Sequence, residues 1–252
     1  MNKRFIAALS LGLALLMSGC SLPLSAPNST ATPAKPEEKT MDPDGWNQIL
    51  DSVDKNQTVT DFGIQASLET FERNNKHAAR LYGDIILPDQ AVISQTIDNQ
   101  SYYLYQDKKT AYYRELGVWR PTERVAIPNV WQSLLSLKKL PAPPVFRLPD
   151  LSLLTNKDTE VYQFEADAIR FADWLPTANK TIPSRYTIYV DKKTRYIRQI
   201  DIVSTSSVSD IGTMVSNASI KFFNLGNKQT KIEMPEGLKQ QLKNQQLSTP
   251  SQ

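Results

Sequence analysis

"TVTDFGIQASLET", residues 58 to 70, decides the fold class. Phe62, Ile64, Ala66 and Leu68 alternate with Asp61, Gly63, Gln65, Ser67 and Glu69. Successive side chains of a strand point to opposite faces, so a period of two buries one face and wets the other. The alternation returns in "RLYGDIILPDQ" (80–90), where Leu81, Gly83, Ile85 and Leu87 share a face until Pro88 stops the strand. Residues 91–98, 101–106 and 111–117 read as three more strands, "VYQFEAD" (161–167) as another, and "ASIKFFNLGNK" (218–228) as the last.

Two hairpins carry the same turn. "YYLYQDKKTAYYREL" (102–116) and "RYTIYVDKKTRYIRQIDIVS" (185–204) each place Asp-Lys-Lys-Thr between aromatic and β-branched arms. An Asp side chain bonds its own backbone two residues on, and lysines keep the tip in water, so the motif is read as a turn. Helical spacing appears in three places. Residues 42–56 set Trp46, Ile49, Leu50 and Val53 on one stripe, with a cap expected near Asp42. "NVWQSLLSLKKL" (129–140) does so with Val130, Leu134 and Leu137, beside Trp131 and Leu135, and "IRFADWL" (169–175) presents Phe171 and Trp174. Strands do not alternate regularly with helices, and no Gly-rich phosphate loop opens one, which argues against a doubly wound parallel sheet. The economical solution is mainly β (α+β): a curved antiparallel sheet of about ten strands, an unclosed half-barrel covered by short helices.

The amino terminus sets the compartment. Lys3 and Arg4 precede an apolar run from Phe5 to Met17, then come Ser18, Gly19 and Cys20 in "LLMSGCS" (15–21). The run is shorter than the roughly 20 residues that cross a bilayer, and the pattern is that of a secretory signal. "SAPNSTATPAKPEEKT" (25–40) combines Pro, Ser, Thr and charge without periodicity, which reads as a disordered tether. The expected organisation is a signal peptide over 1–19, a new amino terminus at Cys20 with a tether over 20–41, a domain over 42–238 and a polar tail over 239–252. Cys20 is the sole cysteine, so no intramolecular disulfide supports the fold.

Composition excludes several function classes. The formal charge is +3 over the full chain, and removal of Lys3 and Arg4 brings the mature protein closer to neutrality. Basic residues form only isolated pairs, Lys138-Lys139 and Lys192-Lys193, so no nucleic-acid partner is expected. One histidine, His77, sits in the polar stretch "RNNKHAAR" (73–80), read as a solvated hairpin connection. With one His and one Cys, neither Ser-His nor Cys-His catalysis nor an ordinary zinc site is expected. Asp167 and Asp173 flank Arg170 at helical spacing and read as surface pairing. The chain is therefore read as a non-enzyme, without cofactor or metal.

The remaining candidate is the interior. A sheet of this size encloses more volume than a few side chains fill, and a ligand cavity is one use of it. The candidate lining is Phe62, Ile64, Leu68, Ile85, Tyr103, Tyr105, Trp119, Trp131, Leu135, Trp174, Ile188 and Ile200. The same residues equally describe a filled core, and the sequence does not separate the two.

Residues 15–21 resemble the lipobox of bacterial lipoproteins, with Met17 where Leu is commonest. Residues 184–237, with "YTIYVDKKTRYIRQIDI" followed by "SIKFFNLGNKQTKIEMP", and more weakly residues 46–140, resemble the LolA/LolB/LppX-like lipoprotein-carrier superfamily. The resemblance implies lipidation at Cys20 and an extracytoplasmic protein on the cell membrane, or on the outer membrane in a diderm, where Ser21 would favour that sorting. It also implies a half-barrel with a helical lid and an apolar cavity for lipid or acyl chains such as palmitate. No counterpart of the exposed leucine loop of LolB-type acceptors stands out. The expected function is an envelope lipoprotein that binds or transfers a hydrophobic ligand. The alternative is a filled-core scaffold or regulatory sensor acting through an envelope protein partner.

Overall fold

The alternating stretch that opens the domain forms strand β2 (Asp61–Glu72), at the middle of a single antiparallel sheet. The structure is a computed structural model that describes residues 39–72, 75–149, 158–167, 184–208, 212–227 and 231–247. Along the chain follow β3 (Asn75–Ile86), β4 (Gln90–Ile97), β5 (Gln100–Gln106), β6 (Ala111–Glu115) and β7 (Val118–Pro121). The second half supplies β8 (Phe146–Arg147), β9 (Thr159–Ala166), β10 (Ser184–Asp191), β11 (Ile197–Val208) and β12 (Gly212–Phe223). A two-residue strand, β1 (Thr40–Met41), pairs with β8. The order is β1-β8-β9-β10-β11-β12-β2-β3-β4-β5-β6-β7, so two meanders join where β12 meets β2, and β1 and β7 end the sheet without closing it. Twelve strands among the described residues replace the ten or so expected, because β1, β7 and β8 are too short to show a period.

The strand directions give the sheet two ends. The β2–β3, β4–β5, β6–β7 and β11–β12 connections lie at one end, here the far end. The Asp-Lys-Lys-Thr turns lie at the other, the near end. In each turn the Asp carboxylate accepts from the backbone. Asp107 Oδ1 takes the amides of Lys109 at 2.8 Å and Thr110 at 2.7 Å, and Asp191 Oδ1 takes those of Lys193 at 3.1 Å and Thr194 at 2.7 Å. These are Asx turns, which fix hairpin register with side-chain oxygen in place of a tight glycine turn.

Helix α1 (Gly45–Gln57) buries Trp46, Ile49 and Val53 against the inner face of the sheet near β10 and β11. Its first residue follows Asp44, not Asp42. The Asp42 carboxylate accepts from the Asp44 amide at 3.1 Å and pairs with Arg147 Nε at 3.2 Å. The 129–140 segment splits into α2 (Val130–Leu134), capped by Asn129 Oδ1 on the Trp131 amide at 3.0 Å, and a 3-10 turn (Leu135–Lys139). Val130, Leu134 and Leu137 are buried as their spacing predicts.

Three boundaries differ from expectation. Thr40 and Met41 belong to the sheet, and Lys39 Nζ donates to Gln163 Oε1 at 2.6 Å, so ordered structure begins inside the segment read as tether. His77 lies in β3, opposite Thr70, and its Nδ1 is 3.7 Å from Asp98 Oδ2. The expected boundary after residue 238 falls inside α3 (Glu236–Leu247), a short polar helix that buries Leu238 on the outer face of the sheet. There Gln241 donates to the Trp119 carbonyl at 2.7 Å and accepts the Trp119 amide at 3.0 Å. One amide side chain thus satisfies both backbone groups of a residue in the edge strand β7, as a neighbouring strand would.

Candidate functional site

The ladder registers set the inner-face residues in rows across the sheet. Nearest the Asp-Lys-Lys-Thr end, Phe62 lies opposite Ile85, and Ile85 opposite Ala91. Next come Phe222, Ile64, Gly83, Ile93 and Leu104, then Ile188, Ile200, Ile220, Ala66 and Leu81. The following row is Tyr186, Ile202, Ala218, Leu68, Ala79 and Ile97. At the far end stand Ser184, Ser204, Ser216 and Thr70, each directly opposite the next.

The near half of this face is full. Trp131 has no exposed surface and wedges between Phe62, at 4.9 Å between ring centroids, and Phe222, at 4.6 Å. Its indole N–H donates to the Val59 carbonyl at 2.9 Å, and its own carbonyl accepts from Gln57 Nε2 at 2.7 Å. Trp46 packs edge-on against Phe164 at 5.2 Å. Trp131 is therefore a plug in the core.

The expected lining divides. Phe62, Ile64, Leu68, Ile85, Trp131, Ile188 and Ile200 come together in the inner-face cluster, with Leu135 half-buried at its border. Tyr103, Tyr105 and Trp119 do not join them. They belong to a second cluster on the outer face, with Ile232 and Leu238, beneath α3. The reason is parity: Leu104, between the two tyrosines, takes the inner face, so Tyr103 and Tyr105 must take the other. Trp174 and Cys20 lie outside the described residues.

The far half differs in side-chain size and polarity. Its apolar row includes Ala79, Ala218 and Leu68, all buried, and stops at the hydroxyl row. Ser184 Oγ and Ser204 Oγ are hydrogen-bonded at 2.6 Å, and Thr70 Oγ1 and Ser216 Oγ at 3.2 Å. Sequence reasoning missed this row, although each contributing strand carries its sign. In β2, β10, β11 and β12 the inner-face alternation of apolar residues meets a hydroxyl, at Thr70, Ser184, Ser204 and Ser216, toward the same end of the sheet.

A polar cluster fixes α1 to the sheet beside β8. Tyr162 O–H lies within hydrogen-bonding distance of Glu160 Oε2 (2.7 Å) and Gln48 Oε1 (2.5 Å), and the Arg195 guanidinium is 2.5 Å from Glu160. Burial pushes the Glu160 carboxyl up. The Tyr162 and Arg195 hydrogen bonds and the Arg147 charge outweigh it and hold that carboxyl below its usual range. The same burial, reinforced by Glu160, pushes the Tyr162 phenol up. Arg147 Nε is buried here without a hydrogen bond, its charge facing Asp42 Oδ2 at 3.2 Å, and the cluster as a whole reads as a structural clamp.

At the far end, the β6–β7 turn exposes Leu116 at 96% of its surface beside half-exposed Val118, an apolar tip that the sequence reading did not single out. Leu116 and Gly117 both have positive φ (50° and 85°), as a two-residue hairpin turn requires. Among the described residues no helix is long and apolar enough to cross a membrane, and no His, Cys, Asp and Glu side chains group to hold a metal ion.

Among solved structures, the chain is similar to LprF from Mycobacterium bovis, with 10% identity and a TM-score of 0.42, over 78% of this chain and 98% of that one. It is similar to the lipoprotein LppX from Mycobacterium tuberculosis, with 11% identity and a TM-score of 0.38, over 76% and 100%. An outer membrane lipoprotein-sorting protein domain from Vibrio parahaemolyticus gives 10% identity and a TM-score of 0.23, over 79% and 97%. No family model matches the chain, and no curated protein does.

Proposed function

We propose that this is a lipoprotein anchored through Cys20 at the extracytoplasmic face of a membrane, whose half-barrel takes a hydrophobic ligand, a lipid or acyl chain, on the far half of its inner face. One observation carries the reading: in the row Tyr186, Ile202, Ala218, Leu68, Ala79 and Ile97 two alanines flank Leu68 at the middle of the sheet, and the row is followed directly by the hydroxyls of Ser184, Ser204, Ser216 and Thr70. That gradient suits an amphiphile. Each methylene moved from water to an apolar surface contributes about 0.8 kcal/mol, and hydroxyls beside it can donate to a carboxylate or ester head that would otherwise be left unpaired. The plugged near half would limit how deep the chain goes, so selection would act on length and volume.

The test is titration of the chain beginning at Lys39 with a fluorescent fatty acid. Ala218→Trp would fill the row and weaken binding about tenfold or more with thermal stability retained. A folded Ala218→Trp protein that binds as tightly as the parent would sink the assignment. A second reading, a filled scaffold that works through an envelope partner, is favoured by the Phe62–Trp131–Phe222 packing. It predicts no fatty-acid binding to the parent protein.

A further inference from the structure

The outer face of the sheet carries a row that the reading above does not use. Tyr82 on β3 lies opposite Ser94 on β4, Ser94 opposite Tyr103 on β5, Tyr103 opposite Arg114 on β6, and Arg114 opposite Trp119 on β7. A groove of about 280 Å³ follows this row, walled on one side by Pro235 and Gly237 at the start of α3. It shares Tyr82 and Ser94 with a second groove of about 500 Å³, lined by Gln65, Ser67, Glu69, Arg80 and Thr96 among others. The two form one trough that is aromatic at one end and polar at the other.

Tyr82 is held in place while 55% exposed. Its ring stacks on Phe223 at 5.7 Å and 22°. Phe223 in turn lies over Gly63, where a Cβ would stand 1.9 Å from the Phe223 ring. Only glycine at 63 allows this stack, so the exposed ring is set by the backbone beneath it. Tyr103 and Tyr82 rise two strands apart, about 9.6 Å, with Ser94 as a low floor between them. The Arg114 guanidinium sits 5.4 Å from the Tyr103 ring centre.

We propose that this outer-face trough binds a glycan whose pyranose rings carry anionic groups. The axial C–H edges of a pyranose pack by dispersion on an aromatic face, whose quadrupole is negative. The spacing of Tyr82 and Tyr103 is about that of a disaccharide unit. Planar and hydroxylic side chains at Gln65, Arg80, Ser94 and Thr96 suit sugar hydroxyls. Charge selects the acidic class. Glu69 is neutralised by Lys76 at 2.9 Å, whereas Arg80 has no hydrogen-bonding or ionic partner among the described residues, and Arg114 adds a second cation. An extended peptide fits less well. The trough crosses strands whose backbone groups are spent in the sheet ladders, leaving none for main-chain pairing. An acyl chain is disfavoured by the polar half.

The test is calorimetric titration of the full-length chain in detergent micelles with oligogalacturonate, cello-oligosaccharide and oligoglutamate. Oligogalacturonate is expected to bind, with Tyr82→Ala weakening it about tenfold and Arg80→Gln, an exposed substitution that spares the aromatic stack, weakening it similarly. Fatty-acid binding by both variants should equal that of the parent, which separates this site from the inner face. No binding of oligogalacturonate to a folded parent would overturn the proposal, as would equal binding of cello-oligosaccharide or oligoglutamate, or indifference to both substitutions.

Discussion

Replacing Trp131 tests whether the near half of the inner face is a filled core. The side chain is wholly buried, packs on Phe62 and Phe222 and donates to the Val59 carbonyl. Trp131→Ala removes the whole wedge, and large-to-small changes of this kind cost about 3–5 kcal/mol because the walls collapse only in part. For a domain of this size each kcal/mol lowers Tm by about 2–4 °C, so the expected fall is about 6–20 °C. Trp131→Phe keeps much of the wedge and loses the indole N–H, leaving a buried carbonyl without that donor at about 1–3 kcal/mol. Far-ultraviolet circular dichroism on heating reads both. The plug account requires the Ala variant to fall further than the Phe variant, with the Phe variant still binding the fluorescent fatty acid as the parent does. A Trp131→Ala protein within about 2 °C of the parent would show that Trp131 lines open space, and the reasoning would fail.

Gln241→Ala should expose the backbone of Trp119 at the sheet edge, costing about 1–2 kcal/mol for two lost hydrogen bonds and speeding hydrogen exchange at the Trp119 amide; unchanged exchange would mean that α3 does not protect β7. Acid should weaken the fold. Burial pushes the Asp107, Asp191 and Glu160 carboxyls up, but backbone and side-chain hydrogen bonds, with arginine charge at Asp191 and Glu160, bring all three below their usual range. Their contribution is complete above the unfolded carboxylate pKa, about 4, and is lost as pH falls through the lower folded values. Urea midpoints should therefore drop between pH 5 and pH 3, and a flat profile would contradict the assignment. Asp84 has the opposite sign: burial raises its pKa, so its ionised form disfavours folding at neutral pH. Asp84→Asn should raise Tm at pH 7, and a lower Tm would show that the carboxylate makes a contact that matters more.

Much of the architecture was legible because its signals are local. The period of two in 58–70 and 80–90 gives β2 and β3, and the Asp side chains at 107 and 191 nucleate the turns that set their hairpins. The stripe of Val130, Leu134 and Leu137 fixes the buried side of the covering helix. Face assignment was less legible. "YYLYQ" is apolar on both sides, since Leu104 serves the inner core and Tyr105 the outer one, and alternation has no phase when neither face is wet. The missing clue lay in "PEGLKQQLKNQQL", where Leu238 and Leu242, one turn apart, offer a narrow apolar stripe in a polar segment. The hydroxyl row needed registers that bring Thr70, Ser184, Ser204 and Ser216 together from distant parts of the chain. No single-strand pattern fixes such a pairing.

The claim that the inner face receives an amphiphile is tested most directly by native mass spectrometry of the purified protein, followed by lipid extraction. The account predicts one lipid or fatty acid per chain in the parent protein and a bare mass for Ala218→Trp. A bare parent mass that persists after incubation with excess fatty acid would contradict it, and would leave the half-barrel as a filled scaffold.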